Sequence, residues 1–451
     1  MTRSVNFAEP LKPRPRRGTL PRMTSSPPPA AAAAPAALSP ADQARGRRLA
    51  LVSQPLHMTF RRLFTEDLPT LALVSLGAGD AAVGLQRAFE PLSALLQLPS
   101  LRALAHAGKR TLLLTGQCLA LAGALPLLFF PALAALPPGA GTAVALASLG
   151  LTAAGLGVAE TPWFPLLHGY VPPDGIGRFF GTLRSTWSVA LIVSFLGVQQ
   201  WLAAHPGRFG PVFAAAWICG LARVAVVWRL PDPSGAAGER IRARRALREL
   251  IAHPELRGYL LGVSLCGGAR RALMPFAIVV MRRVIGMTDA QVLLATLASF
   301  AGSLVALYAA GRAADRMGSA PIFRATAIGL ALLALGFCLL REPGTGAVAL
   351  AAALFCGVAA LSAAFGVADT NVLFSLAPAE SPTAVLTSAT ASAAVAYAIA
   401  PVVAGLALQG AISLGVPELL AYRSLFVAAA VAFAVSWLPL RRFGLAAPQP
   451  R

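Results

Sequence analysis

Between Leu49 and Leu440 the chain is a succession of apolar runs, cut by short segments that hold its turn-forming prolines and glycines and most of its arginines. A membrane-crossing helix needs about 20 apolar residues. With its loop it needs roughly 30, so twelve crossings fit in this stretch. The expected spans are 49–74, 80–101, 111–132, 142–168, 183–204, 209–229, 257–281, 289–310, 321–340, 346–374, 385–409 and 421–440. Breakers mark several turns: Pro137-Pro138-Gly139, Pro172-Pro173-Asp174-Gly175, Pro206-Gly207 and Pro343-Gly344. The chain is 57% hydrophobic and only 12% charged, whereas a soluble domain is about 45–50% apolar and roughly 25% charged. Its solvent must be mostly lipid. That excludes a soluble enzyme, a disordered scaffold and a secreted disulfide module. The fold class expected is an all-α polytopic membrane protein.

The net charge of +20 would suggest nucleic acid in a soluble protein. Here the basic runs lack aromatic interleaving or a recognisable binding module, so nucleic acid is not an expected partner. Arginines and lysines fall between spans, as in a protein facing an anionic cytoplasmic leaflet. With the N-terminus inside, Arg102, Lys109, Arg110, Arg178, Arg184, Arg312, Arg316 and Arg324, with the basic central segment, outnumber Arg208, Arg282, Arg283, Arg341 and Arg423 on the other side. Both termini are therefore expected in the cytoplasm, and the protein in the cytoplasmic (inner) membrane. Arg282 and Arg283 sit on the unfavoured side.

Residues 1–45 are rich in Pro, Ala and Arg and are expected to form a disordered cytoplasmic tail rather than a signal peptide. Met23 is an alternative start. The remaining organisation expected is an N-terminal six-helix bundle (46–229), a cytoplasmic central loop (230–256), a C-terminal six-helix bundle (257–442) and a short tail (443–451). The five cysteines lie in apolar stretches without a CxxC pair, so neither a disulfide, a metal site nor a cofactor is expected.

The halves repeat at an offset of 209 residues. Arg61-Arg62 in span 1 matches Arg270-Arg271 in span 7, Gly77 matches Gly286, and Asp80-Ala81 matches Asp289-Ala290. Gly157-Val158-Ala159-Glu160-Thr161 matches Gly366-Val367-Ala368-Asp369-Thr370. Apolar matches alone could be coincidence between alanine-rich segments. Charged ones are not, because an ionisable residue at a span's centre costs roughly 2.5–3.5 kcal/mol on insertion scales. The repeat reads as a duplication, an architecture known in secondary transporters with a site at the interface of the halves.

Gly311-Arg312-Ala313-Ala314-Asp315-Arg316-Met317-Gly318, between spans 8 and 9, resembles the Gly-x-x-x-Asp-Arg-x-Gly loop signature of the major facilitator superfamily. Its usual basic end is replaced by Ser319-Ala320. The loop between spans 2 and 3 keeps Gly108-Lys109-Arg110 but has Leu101 and Ala105 where Gly and Asp belong. Gly177-Arg178-Phe179-Phe180-Gly181-Thr182-Leu183-Arg184 is similar to a bacterial branch of the family. The resemblance covers roughly residues 46–442. It implies a transporter rather than an enzyme, with both loops (Gly108, Lys109, Arg110; Gly311, Asp315, Arg316, Gly318) acting as gates whose glycines let helix ends approach.

The resemblance also implies that spans 1, 4, 7 and 10 line a central cavity. They supply Arg61, Arg62, Arg270 and Arg271 against Glu66, Asp67, Glu160 and Asp369. That is a formal balance of zero, as burial demands. Arg62 and Glu66 are one helical turn apart and can pair locally. Arg270 and Arg271 have no carboxylate within a turn, so they need Glu160, Asp369 or a bound anion. The sharp expectation is a small anionic or polar solute clamped by one span-1 and one span-7 arginine, whose planar forks suit carboxylate or phosphate. The bland one is a set of interhelical bridges. Glu66, Asp67, Glu160 and Asp369 are the candidates for proton coupling. The implied partners are the solute, protons and lipid, with the protein a monomer. A drug or metabolite exporter working as a proton antiporter and a non-transporting sensor on a transporter fold are the alternatives. Arg87 and Glu90 are expected to pair with each other within span 2. His57 is expected as a satisfied core residue, and Trp163 in the interfacial aromatic belt. Pro162 and Pro165 should bend span 4 just after Glu160.

Overall fold

In the computed structural model, residues 38–97, 99–100, 108–172, 176–232, 254–376 and 382–443 are described. The expected N-terminal tail up to residue 37, most of the central loop (233–253) and the C-terminal tail from 444 lie outside them. Among the described residues every regular element is helical. Ten helices are long and apolar enough to cross a membrane. They correspond to the expected spans 3 to 12: Lys109–Leu128, Ala140–Tyr170, Arg178–Ala204, Gly210–Trp228, Leu256–Val284, Asp289–Ala314, Ser319–Leu339, Thr345–Leu373, Ala389–Ser413 and Glu418–Leu440. Spans 1 and 2 are helical where expected, but they carry the charged residues of the site, and span 2 is short (Asp80–Leu95).

Span 1 begins at Pro40, inside the stretch expected as tail, because Ser39 caps it: its hydroxyl accepts the Asp42 N–H, and Pro40 needs no donor there. The helix runs to Thr65, breaks at Glu66 and resumes as Asp67–Ser75. Pro69 explains the break, since it has no N–H to give the Thr65 carbonyl one turn back. That carbonyl accepts from the Gln86 amide of span 2 instead. Span 4 is likewise interrupted where the prolines predicted, ending one helix at Glu160 and starting the next at Trp163.

The repeat is visible in the turns. Gly77 and Gly286 both have φ near +80° (77° and 81°), a conformation glycine adopts without strain. Asp80 and Asp289 then open spans 2 and 8. Within each half, small residues bring helices to backbone contact. A Cβ on Gly116 would lie 2.4 Å from the Ala159 nitrogen, and one on Gly302 would lie 2.2 Å from the Cys356 carbonyl.

The halves meet mainly through spans 2 and 11 and spans 5 and 8. A Cβ on Gly84 would lie 2.3 Å from the Pro401 carbonyl, and one on Gly405 would lie 2.4 Å from that of Asp80. Phe195 and Phe300 meet across spans 5 and 8 with tilted rings, their centroids 5.2 Å apart. At the end of the bundle where span 1 meets span 2, the Asp80 carboxylate accepts from Arg283 at 3.1 Å and from the Tyr422 hydroxyl at 2.7 Å. Arg283 also donates to the Ala78 carbonyl at 2.6 Å, and the Ala81 N–H to Gln409 at 3.2 Å. Arg282 reaches Asp289 at 2.5 Å. Arg282 and Arg283 are thus each neutralised by one of the repeat-related aspartates.

Gly84→Val should force this end of the halves apart. Spin labels at the exposed Ser75 and Leu414 are expected to report a longer mean distance than in the parent protein. Gly155→Val, which crowds spans 3 and 4 within one half, should leave that distance unchanged and lower the melting temperature.

Candidate functional site

Polar side chains form a continuous chain through the bundle interior. On span 1, His57 and Arg61 lie one turn apart on one face. Arg61 donates to Glu160 of span 4 at 2.5 Å and to Glu90 of span 2 at 2.8 Å. The second oxygen of Glu90 accepts from Arg271 of span 7 at 2.9 Å. Glu90 therefore joins a cation of one half to a cation of the other.

Behind Glu160 the chain continues into the N-terminal half. His57 Nε2 lies 3.7 Å from Glu160, and its Nδ1 contacts the Arg223 guanidinium of span 6. A guanidinium has no acceptor, so Nδ1 must accept and Nε2 carries the hydrogen facing Glu160. Arg223 is 1% exposed, donates to Gln117 at 2.6 Å, and lies 5.6 Å from the Trp163 ring centroid. Among the described residues no carboxylate lies within 4 Å of it.

On the other side, span 7 places Arg270 in the wall of a cavity of about 120 Å³. Cys266, Gly267, Leu330, Ser362, Phe365, Gly366, Asp369 and Tyr397 complete the lining. Asp369 is held by the Tyr259 hydroxyl, which contacts its carboxylate and donates to its main-chain carbonyl at 2.9 Å. Among the described residues Arg270 has no ion pair. Tyr397 also packs against Arg271, whose guanidinium lies 5.6 Å from the ring centroid.

Several expectations need correction. Arg62 does pair with Glu66. Arg87 and Glu90 do not pair with each other. The break at Glu66 reaims Asp67, which takes Arg87 at 2.7 Å, and two guanidiniums claim Glu90. Glu160 serves Arg61 and His57 rather than a span-7 arginine, and Asp369 faces a tyrosine. The charge balance also changes. Counting Arg87, Arg223 and Glu90, the described residues place Arg61, Arg62, Arg87, Arg223, Arg270 and Arg271 in the interior against Glu66, Asp67, Glu90, Glu160 and Asp369, one cation in excess. Trp163 is 6% exposed and packs inside the half instead of in an interfacial belt.

In the loops, Gly108 and Gly318 take positive φ (78° and 76°) at the starts of spans 3 and 9. Lys109 donates to the Pro165 carbonyl at 3.4 Å and Arg110 to that of Leu230 at 3.2 Å, both within their own half. Arg316 is exposed. A Cβ on Gly311 would meet nothing within 4 Å. The Asp315 side chain lies outside the described residues. Glu90 and Arg223 were missed as site residues, although a charge inside an apolar span was the signal available for both.

Two helical halves with ionisable side chains meeting in their common interior fit a membrane transporter, and the family match shows a transporter of the secondary class rather than an enzyme. The family model of the Major Facilitator Superfamily matches residues 56–401, and this chain belongs to that superfamily as a multi-pass membrane protein. Among solved structures, the nucleoside transporter NupG is 14% identical with a TM-score of 0.67, covering 88% of this chain and 97% of its own. A bacterial homologue of the human lysosomal transporter Spinster, in an inward-facing and occupied conformation, is 14% identical with a TM-score of 0.63, over 87% and 96%. The D-xylose–proton symporter is 16% identical with a TM-score of 0.61, over 88% and 97%. At these identities the likeness is one of fold. The search of curated proteins gave no match.

Arg223→Met should lower stability by about 1–3 kcal/mol, because it strips the buried Gln117 carbonyl and His57 Nδ1 of their donor. Chemical or thermal unfolding in detergent measures the loss.

Proposed function

We propose that this chain is a proton-coupled transporter of a small anionic solute, working by alternating access as a monomer in the cytoplasmic membrane with both termini in the cytoplasm. The observation that carries the reading is Arg270, a guanidinium at a cavity wall with no carboxylate within 4 Å among the described residues, although Asp369 lines the same cavity. The repeat says what is missing. Arg61, its counterpart, holds two carboxylates, Glu90 and Glu160. The residues matching those two are Ser299, which has no charge, and Asp369, which faces Tyr259. An anionic solute supplies the charge that Arg270 lacks and offsets the interior's extra cation.

The clamp expected from one span-1 and one span-7 arginine becomes a division of work. Arg270 anchors the solute, while Arg61 and Arg271 are held in reserve by Glu90. Arg62 is taken by Glu66. Proton coupling runs through Glu160 and Asp369, with Glu66 and Asp67 secondary because neither touches the Arg61–Glu90–Arg271 chain nor lines the Arg270 cavity. Protonation of Glu160 removes one of the two carboxylates that hold Arg61 and leaves it with Glu90 alone, which weakens the hold on that arginine and favours its engagement by an anion. The halves are sealed at the end holding Asp80 and Arg283. With a cytoplasmic N-terminus this is the outer end. A second reading, export of a cationic solute, is favoured by Asp369 alone, since that carboxylate lines the same cavity without an arginine partner.

Arg270→Gln is expected to abolish uptake of the transported anion into proteoliposomes while the protein still inserts. Unchanged uptake would remove the anion reading. Glu160→Gln and Asp369→Asn should each retain anion exchange but lose accumulation driven by a pH gradient. A variant that still accumulates solute with the gradient would exclude its carboxylate from coupling.

A further inference from the structure

Glu90 is bound as a ligand is bound. Its two oxygens are taken one each by guanidiniums from different halves, Arg61 at 2.8 Å and Arg271 at 2.9 Å. Two planar donors converging on both oxygens of one carboxylate is the arrangement that recognises a free carboxylate. The three side chains are not sealed away: Glu90 keeps 21% of its side-chain exposure and each arginine 27%. Arg271 has an Nε buried without a partner, so its donors are incompletely used. The site adjoins the Arg270 cavity through Tyr397, which lines the cavity and packs on Arg271. The repeat gives Glu90 no equivalent, since the matching position is Ser299. A carboxylate needed only to neutralise a duplicated arginine would be expected in both halves.

We infer that Arg61 and Arg271 form a carboxylate site across the two halves, that Glu90 is its internal occupant, and that a monocarboxylate takes the same place when Glu90 is removed or displaced. The site itself needs no transport. Its use by a moving solute rests on the proposed function.

The test uses the purified full-length protein and sodium acetate as probe, with sodium chloride at equal ionic strength as the baseline. Glu90→Ala opens a space of about the size of acetate between the two guanidiniums. Acetate should raise its melting temperature saturably, by about 3 °C or more. At acetate concentrations that saturate Glu90→Ala, the parent protein and the double variant Glu90→Ala/Arg271→Gln should show no rise. No rise in Glu90→Ala, or an equal rise in all three, overturns the inference. Glu90→Gln, which keeps the volume, covers the case in which Glu90→Ala does not fold. Its amide competes more weakly for the arginines, so half-saturating acetate should fall about tenfold or more below that of the parent protein. Equal half-saturation, or none in the variant, overturns it. Acetate binding by a protein that takes up no anion would keep the site and remove the transport reading. Uptake by the parent protein without acetate binding in either variant would do the reverse.

Discussion

A guanidinium in a low-dielectric interior must be met by a carboxylate, a bound anion or a dense set of acceptors, because its desolvation is otherwise uncompensated. The interior of this protein follows from that requirement. Glu90 meets Arg61 and Arg271 at once, so the halves share one counter-ion instead of each being neutralised separately. Parting the halves on this side separates Glu90 from Arg271, so that Glu90 keeps Arg61 while Arg271 is left without a carboxylate. Closure and ligation are therefore coupled by charge. Arg223 takes the other route, with Gln117, His57 and the face of Trp163 in place of a carboxylate.

The duplication is kept in the turns and relaxed in the charges. Gly77 and Gly286, and Asp80 and Asp289, do the same work in both halves, because a tight turn depends on local backbone conformation. The arginine pair at 282 and 283 exists only in the second half; the matching positions of the first, 73 and 74, are Leu and Val. One of these arginines stays with Asp289, while the other crosses to Asp80. Such one-sided contacts form only where the halves meet, and they can bias one arrangement of the halves over another.

The helices were legible because lipid enforces a simple rule, apolar side chains in long runs with charge at the ends. The spans the rule describes least well, 1 and 2, carry the charges that form the site. Pairing within one helix was readable for Arg62 and Glu66, whose spacing decides it. It misled for Arg87 and Glu90, where spacing permitted a bond that a break at Glu66 and an arginine 181 positions away prevented. Arg223 sat in plain view in an apolar span, but nothing in the linear pattern linked it to His57, 166 positions back.

By itself the sequence determined that the chain lives in lipid, that it is helical and duplicated, and that its arginines would need partners. These follow from composition, run length and offset, which are properties of the chain taken in order. Only the tertiary structure decided which carboxylate goes to which arginine and which arginine is left at a cavity wall. Ion pairing depends on distances of a few ångströms between helices far apart in the chain, and packing alone sets those distances.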